Sequence, residues 1–263
     1  MTKTLVAALL AATALPQTAD AALIALYQFD DATNLGLDTS GRGNHATNQG
    51  AAFTAQGYQG GAASFNFAAW LSAPIDVNRV ALPQMTWGAW VRPNVGGGNI
   101  QPVLSNDDGG FDRQIGLDNR GGVSSWSTFT GSNVLNPGVA PSTSDWTFLA
   151  VVYDQNQYSM TFYVNGQAFS TATNFGGSPA SFAIGKSAAF PNYFSGVIDN
   201  VFVYDEALSS TQVATLRANG FPSAQAPAVP EPATWAMMVC GFGLVGGALR
   251  RPKPSRRVRF DLA

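Results

Sequence analysis

Carboxylates are where this sequence could do chemistry, and between residues 22 and 225 they are nearly all aspartates, with Glu206 the one glutamate. The densest group is Asp107, Asp108 and Asp112, on a Gly-rich stretch that runs into Arg113. Two carboxyls facing each other across a glycosidic bond, one with a raised pKa, can cleave it. Adjacent aspartates on a loop more often cap a turn or approach a cation. His45 is the sole histidine, and no Gly-x-Ser-x-Gly elbow accompanies it, so a serine triad has no obvious seat. The lone cysteine, Cys240, excludes an intrachain disulfide and a cysteine-based zinc site. Trp70, Phe111, Trp126, Phe190 and Tyr193 fall near expected loops or strand ends. Exposed rings there can stack on sugars, with Asp and Arg bonding to hydroxyls. The expected ligand rim is therefore Trp126 with Asp107, Asp108 and Arg113, drawn from segments 105–113 and 120–126.

The elements that must position these residues read as strands. Short runs rich in Val, Thr and aromatics occur at 23–29, 84–91, 146–153, 158–164, 181–184 and 197–204. Asn165-Gly166 is a hairpin signal, because both central residues of that turn need positive φ. A second turn is expected at 118–122. Trp87, Trp90, Phe148 and Phe162 lie within expected strands and are assigned to the core. The one helical signal is at 209–216, where Ser209 and Gln212 have capping-box spacing, Leu208 and Val213 can staple, and Gly220 stops the turn. Strands at this spacing without intervening helices predict an all-β, two-sheet antiparallel jelly-roll sandwich with a short C-terminal helix. No fixed-period repeat suggests a propeller or solenoid.

The two ends differ in kind from the body. Residues 1–21 combine a basic start, an apolar run and the small residues Ala19 and Ala21, the pattern of a cleaved signal peptide. The body, 22–220, is followed by a Pro- and Ala-rich linker at 221–229. Residues 233–249 carry no charge, and at about 1.5 Å per residue they cover roughly 25 Å, the low end for crossing a bilayer. Arg250 and Arg251 stop the run, and a basic tail continues through 252–263. Such a stop keeps its side cytoplasmic and puts the body outside. The segment 22–225 has seven basic and 13 acidic residues, a formal charge of −6. That acidity makes nucleic acid a poor partner.

Two resemblances follow. Pro230-Glu231-Pro232, Trp235-Ala236, the apolar run and Arg250-Arg251 together resemble a PEP-CTERM sorting signal of the PEP-x-x-W-A type. This implies a Gram-negative exporter whose exosortase-type membrane protease acts at the Pro-Glu-Pro motif, with delivery to the envelope or an exopolysaccharide matrix. The tail beyond Pro252 is longer than the usual stop. The body, through Tyr27-Gln28-Phe29-Asp30, Asp38-Thr39-Ser40-Gly41, Thr86-Trp87-Gly88-Ala89-Trp90-Val91, Tyr163-Val164-Asn165-Gly166 and Gly196-Val197-Ile198-Asp199, is similar to the laminin-G-like, concanavalin A-like lectin/glucanase superfamily. The resemblance implies one structural calcium ion, held through the stretches of Asp30, Asp38, Asn44 and Asp199. Gly41 and Gly43 would let carbonyls turn inward there. Turn capping is the competing role for the same residues. The Glu-x-Asp-x-x-Glu strand of glucanases on this fold does not occur here.

These readings predict an exported, non-catalytic recognition or adhesion protein that binds extracellular carbohydrate or a matrix component. The alternatives are a structural matrix protein without a discrete ligand, and a glycoside hydrolase with an unrecognised site.

Overall fold

The computed structural model describes residues 21–221, apart from 95, 111, 131–132, 175–179 and 181. Ala19, the linker beyond Phe221, the sorting motif at Pro230, Glu231, Pro232 and Trp235, the run 233–249 and the basic tail lie outside the described residues. In chain order the described strands are β1 (Leu23–Tyr27), β2 (Thr47–Gln49), β3 (Ala52–Thr54), β4 (Ala62–Asn66), β5 (Trp70–Ala73), β6 (Gln84–Pro93), β7 (Ile100–Ser105) and β8 (Gln114–Asp118). They continue as β9 (Ser125–Thr130), β10 (Asn133–Leu135), β11 (Thr147–Asp154), β12 (Ser159–Val164), β13 (Gln167–Ala172), β14 (Phe182–Ile184) and β15 (Ser195–Tyr204), followed by helix α1 (Ser210–Asn219).

Two antiparallel sheets result. One runs β13-β12-β11-β6-β15-β4-β3, with β1 also paired to β15; the other runs β10-β9-β8-β7-β14-β5-β2. Alternation along each strand fills the space between them. Met85, Trp87, Ala89 and Val91 of β6 meet Leu104, Ile115, Leu117, Trp126, Phe182 and Ile184 of the second sheet in one core. The β12–β13 hairpin turns at Asn165 (φ 51°) and Gly166 (φ 87°), the conformation expected for that pair.

The eight-stranded sheet is buried on its other face as well. Trp90, Phe148, Phe202 and Tyr204 form a second cluster with Leu208, Val213 and Leu216, so α1 covers this face. Strands β6, β11 and β15 therefore read as nearly continuous apolar runs. Gly88 sits at the crowded point of this face: a Cβ there would lie 2.2 Å from the Leu149 carbonyl oxygen and 2.6 Å from the Phe202 ring. The capping box forms as expected. Ser209 Oγ accepts from the Gln212 N–H, and Gln212 Oε1 accepts from the Ser209 N–H. Both ends of the described chain meet on this sheet. The Ala22 N–H donates to Asp205 Oδ1 at 3.0 Å, and Phe221 packs on Phe202 with ring centroids 5.0 Å apart.

Candidate functional site

Asp38 caps a turn. Its Oδ1 accepts from the N–H groups of Leu26 (3.0 Å) and Ser40 (2.9 Å). Its Oδ2 accepts from the Ser40 hydroxyl (2.9 Å) and the Asn44 N–H (2.8 Å). Burial disfavours the charge, but these donors outweigh it and hold the carboxyl below its ordinary range. Asn44 spends its side-chain amide on the Ile24 carbonyl at 2.7 Å. Asp38 thus fills the turn-capping role, with four donors around its carboxylate, and Asn44 braces the same loop after β1 through its amide N–H.

Asp199 and Asp30 are different. Asp199 follows the inward-facing Ile198 in β15 and lies opposite Trp90, so alternation puts its side chain on the outer face of the sheet, where it is fully buried. Its Oδ2 accepts from the N–H groups of Tyr58 (2.8 Å) and Gln59 (3.0 Å), whereas its Oδ1 is buried with no partner. Burial pushes this carboxyl up to about 7, and the nearby charge of Asp30 adds to the effect. Asp30 is exposed and accepts from the Gly61 N–H at 2.7 Å. Gly60 is closed against it: a Cβ there would fall 2.2 Å from Asp30 Oδ1. An orphaned carboxylate oxygen beside an exposed second carboxylate fits a hard cation, whose remaining ligands would be carbonyls and water. Among the described residues no three His, Cys, Asp or Glu gather into a metal-binding group, so protein carboxylates alone do not complete the shell. Asp30 and Asp31 also line a cleft of about 470 Å³ with Gln28, Asn34 and Thr39.

The expected ligand rim does not survive as drawn. Trp126 has no exposed surface. It pairs with Leu117 on the inner side of the second sheet, while its neighbours Ser125 and Ser127 lie on the sheet's other face and are themselves buried. Arg113 is also turned inward. It donates to the carbonyls of Val77 (2.8 Å) and Leu82 (2.7 Å) and lies 4.9 Å from the Tyr153 ring centre. Burial lowers its pKa to about 10, so it stays charged as a buried brace. Asp107 is buried and folds back to accept from the Gly109 N–H at 3.0 Å. Asp108 alone of the four is exposed. Burial, with Asp108 and Asp107 close by, raises Asp112 to about 7.

The structure instead assembles a site from Trp70, Lys186 and Tyr193. Trp70 begins β5, and with Leu71 pointing into the core it faces away from it, opposite Gln49 of β2. Lys186 and Tyr193 are bridged across the β14–β15 connection. The Lys186 ammonium lies 4.6 Å from the Trp70 ring centre and 5.6 Å from that of Tyr193. All three side chains are partly exposed. The same connection is tied to the 107–112 loop, since the Asp107 carbonyl accepts from Ser187 Oγ (3.3 Å) and the Ala189 N–H (3.2 Å). So the expected acidic loop borders this site through its backbone. Trp70 and Tyr193 are visible in the sequence as loop-adjacent aromatics. Lys186 carries a signal of its own, as the single lysine between residues 22 and 225.

A second aromatic group lies over the first sheet. Tyr58 stacks on Trp90 with centroids 3.5 Å apart and planes 11° from parallel, and Arg92 lies 5.0 Å from the Trp146 ring centre. It closes the outer cluster beside Asp199.

The class defined here is a two-sheet all-β sandwich with loop-borne aromatic and charged groups. Residues 69–214 match the family model described as the concanavalin A-like lectin/glucanases superfamily, and the chain belongs to that superfamily. Residues 228–251 match the PEP-CTERM protein-sorting motif, which implies export and membrane sorting. Among the described residues no helix is long and apolar enough to cross a membrane. No curated protein matches the chain.

Among solved structures, the chain is similar to domain 4 of AbnA, a GH43 extracellular arabinanase from Geobacillus stearothermophilus, in complex with arabinotriose. Identity is 25%, 75% of this chain and 98% of that one are covered, and the TM-score is 0.58. It is also similar in fold to the binding domain of Paraclostridial Mosquitocidal Protein 1 (15% identity, 74% and 51% covered, TM-score 0.59). A third is the binding domain of botulinum neurotoxin DC in complex with SialylT (11%, 76% and 51%, TM-score 0.55). The chain spans about half the length of these two toxin domains.

Proposed function

We propose that this protein is an exported, non-catalytic recognition module that binds an extracellular carbohydrate through Trp70, Lys186 and Tyr193. The observation that carries this reading is the partly exposed pair of rings with an ammonium between them on a braced loop. Rings supply a stacking face, and an ammonium supplies donors to ring oxygens. The arabinotriose complex of the similar arabinanase domain supports carbohydrate as the ligand class. Against hydrolysis stand the missing glutamate strand and the inward burial of Asp112, which leaves the acidic loop without two carboxyls facing across an open cleft. The unpartnered Asp199 Oδ1 favours one structural calcium held by Asp199 and Asp30. The sorting motif supports processing by an exosortase-type protease, membrane retention through 233–249, and release to the surface or matrix.

The test is a polysaccharide panel against the purified 22–225 body. Wild type should bind at least one polysaccharide and release no reducing sugar. Trp70→Ala should weaken that binding at least tenfold with a near-native melting temperature. Binding to nothing on a broad panel would favour a purely structural matrix role, and released sugar would make the protein an enzyme.

A further inference from the structure

We propose that the ligand of the Trp70–Lys186–Tyr193 surface is an acidic polysaccharide, one whose uronate carboxylate pairs with Lys186 while its sugar ring stacks on Trp70. This rests on the carbohydrate-binding reading and names its substrate class.

Lys186 is the single lysine in a body whose formal charge is −6. Acidic residues are plentiful, yet no ion pair involves Lys186 among the described residues, whereas Arg120 pairs with Asp118. Its charge rests against two π faces instead, at 4.6 and 5.6 Å. Rings attract a cation without consuming its N–H donors in the way a carboxylate would. The ammonium is thus held in place with hydrogen-bonding capacity left for an anion.

The loop that carries it is fixed before any ligand arrives. The Gly185 N–H donates to the Val103 carbonyl (2.8 Å), Phe194 N–H to Gly185 (2.9 Å) and Ser187 N–H to Asn192 (2.9 Å). With Ala189 and Ser187 both tied to Asp107, the connection is braced at its base and its side. A braced loop loses little entropy on binding. The adjacent Asp107 carboxylate is turned back onto the Gly109 N–H, away from competition for Lys186.

A neutral sugar would gain little from this arrangement. It would have to cover or displace a charge without replacing the water that the charge loses. A uronate offers both partners at once, an apolar ring face for Trp70 and a carboxylate for Lys186. Such charge-assisted bonds are about twice as strong as neutral ones.

The experiment compares sodium polygalacturonate with its fully methyl-esterified form, which keeps the sugar and removes the charge. Arabinan serves as a neutral control and dextran sulfate as a different anion. Affinities of wild type, Lys186→Met, Lys186→Arg and Trp70→Ala are measured by calorimetry, with melting temperatures alongside. Wild type should prefer the acid form over its ester at least tenfold. Lys186→Met should abolish that preference with an unchanged melting temperature, and Lys186→Arg should restore most of it. Equal affinity for acid and ester, or a preference that survives Lys186→Met, overturns the acidic ligand. If arabinan or the ester is nevertheless bound and lost in Trp70→Ala, carbohydrate recognition stands without it. Tighter binding of dextran sulfate than of polygalacturonate overturns the uronate in favour of a sulfate ester. Binding of none of the four overturns the acidic ligand, and the broad panel then decides whether carbohydrate recognition stands.

Discussion

Asp38, Asp112 and Asp199 are one functional group in three settings, and the setting decides the charge. Four donors stabilise the Asp38 carboxylate, while burial destabilises those of Asp112 and Asp199. A carboxyl raised to about 7 in the folded state carries its full ionic penalty above pH 7. The penalty is relieved as pH falls towards the unfolded value. The melting temperature should therefore rise from pH 8 to pH 5, and Asp112→Asn should flatten that rise. Asp38 acts in the opposite sense: its contribution is present above the ordinary carboxylate range and is lost as pH falls through its depressed folded value. A melting curve that falls on going from pH 8 to 5 would contradict the assignment for Asp112. Trp126 gives a second measurement at this scale. Its removal opens a cavity in the main core, so Trp126→Ala should cost about 3–5 kcal/mol in denaturant unfolding. The inward seat of Trp126 was legible in Ser125-Trp126-Ser127, where small polar neighbours alternate with a large ring. Proximity to a Gly-rich turn suggested a loop instead. The Lys186 contacts were not legible, because they join β5 to a connection more than a hundred residues later.

At the level of elements, strands with long apolar runs could be read directly. The six expected segments correspond to β1, β6, β11, β12, β14 and β15, and the capped helix lies at Ser210–Asn219. The signal was strong because the central strands of the first sheet are covered on both faces. β13 (QAFSTA) follows from the Asn165-Gly166 hairpin, whereas the short β2 (TNQ) and the buried β8 (QIGLD) escaped, because polar residues and glycine dilute their alternation. The loop at 57–61 is the element that calcium would affect most. Asp199 Oδ2 fixes its Tyr58 and Gln59 amides, and its Tyr58 ring lies on Trp90. A cation on Asp30 and Asp199 Oδ1 would offset the charge that burial penalises and stiffen the loop. Calcium should raise the melting temperature and slow hydrogen exchange at Tyr58 and Gln59, and a chelator should reverse both. Asp199→Ala should remove the calcium response. Unchanged exchange with and without calcium, on protein shown to be metal-free beforehand, would leave Asp30 and Asp199 as turn residues only.

For the whole molecule, an acidic body without cysteine is joined to a tail that holds the single cysteine and six of the 14 basic residues. In the proposed route that tail is removed at Pro230-Glu231-Pro232. Intact-mass measurement of the surface form should show a chain that begins at Ala22 and lacks residues 233–263. Surface protein that retains Ala263 throughout would exclude the cut.

The pairing of β1 with β15 bears on timing. The first strand of the body has its partner at the other end, and the Ala22–Asp205 bond closes a loop of 183 positions. Closing a loop of that length is slow, and among the described residues β15 is the strand paired with β1. A chain emerging amino end first therefore cannot complete its larger sheet until Tyr204 has appeared. Until then β1, β4 and β6 lack the strand that joins them, so closure of the sheet waits for nearly the whole body to be made.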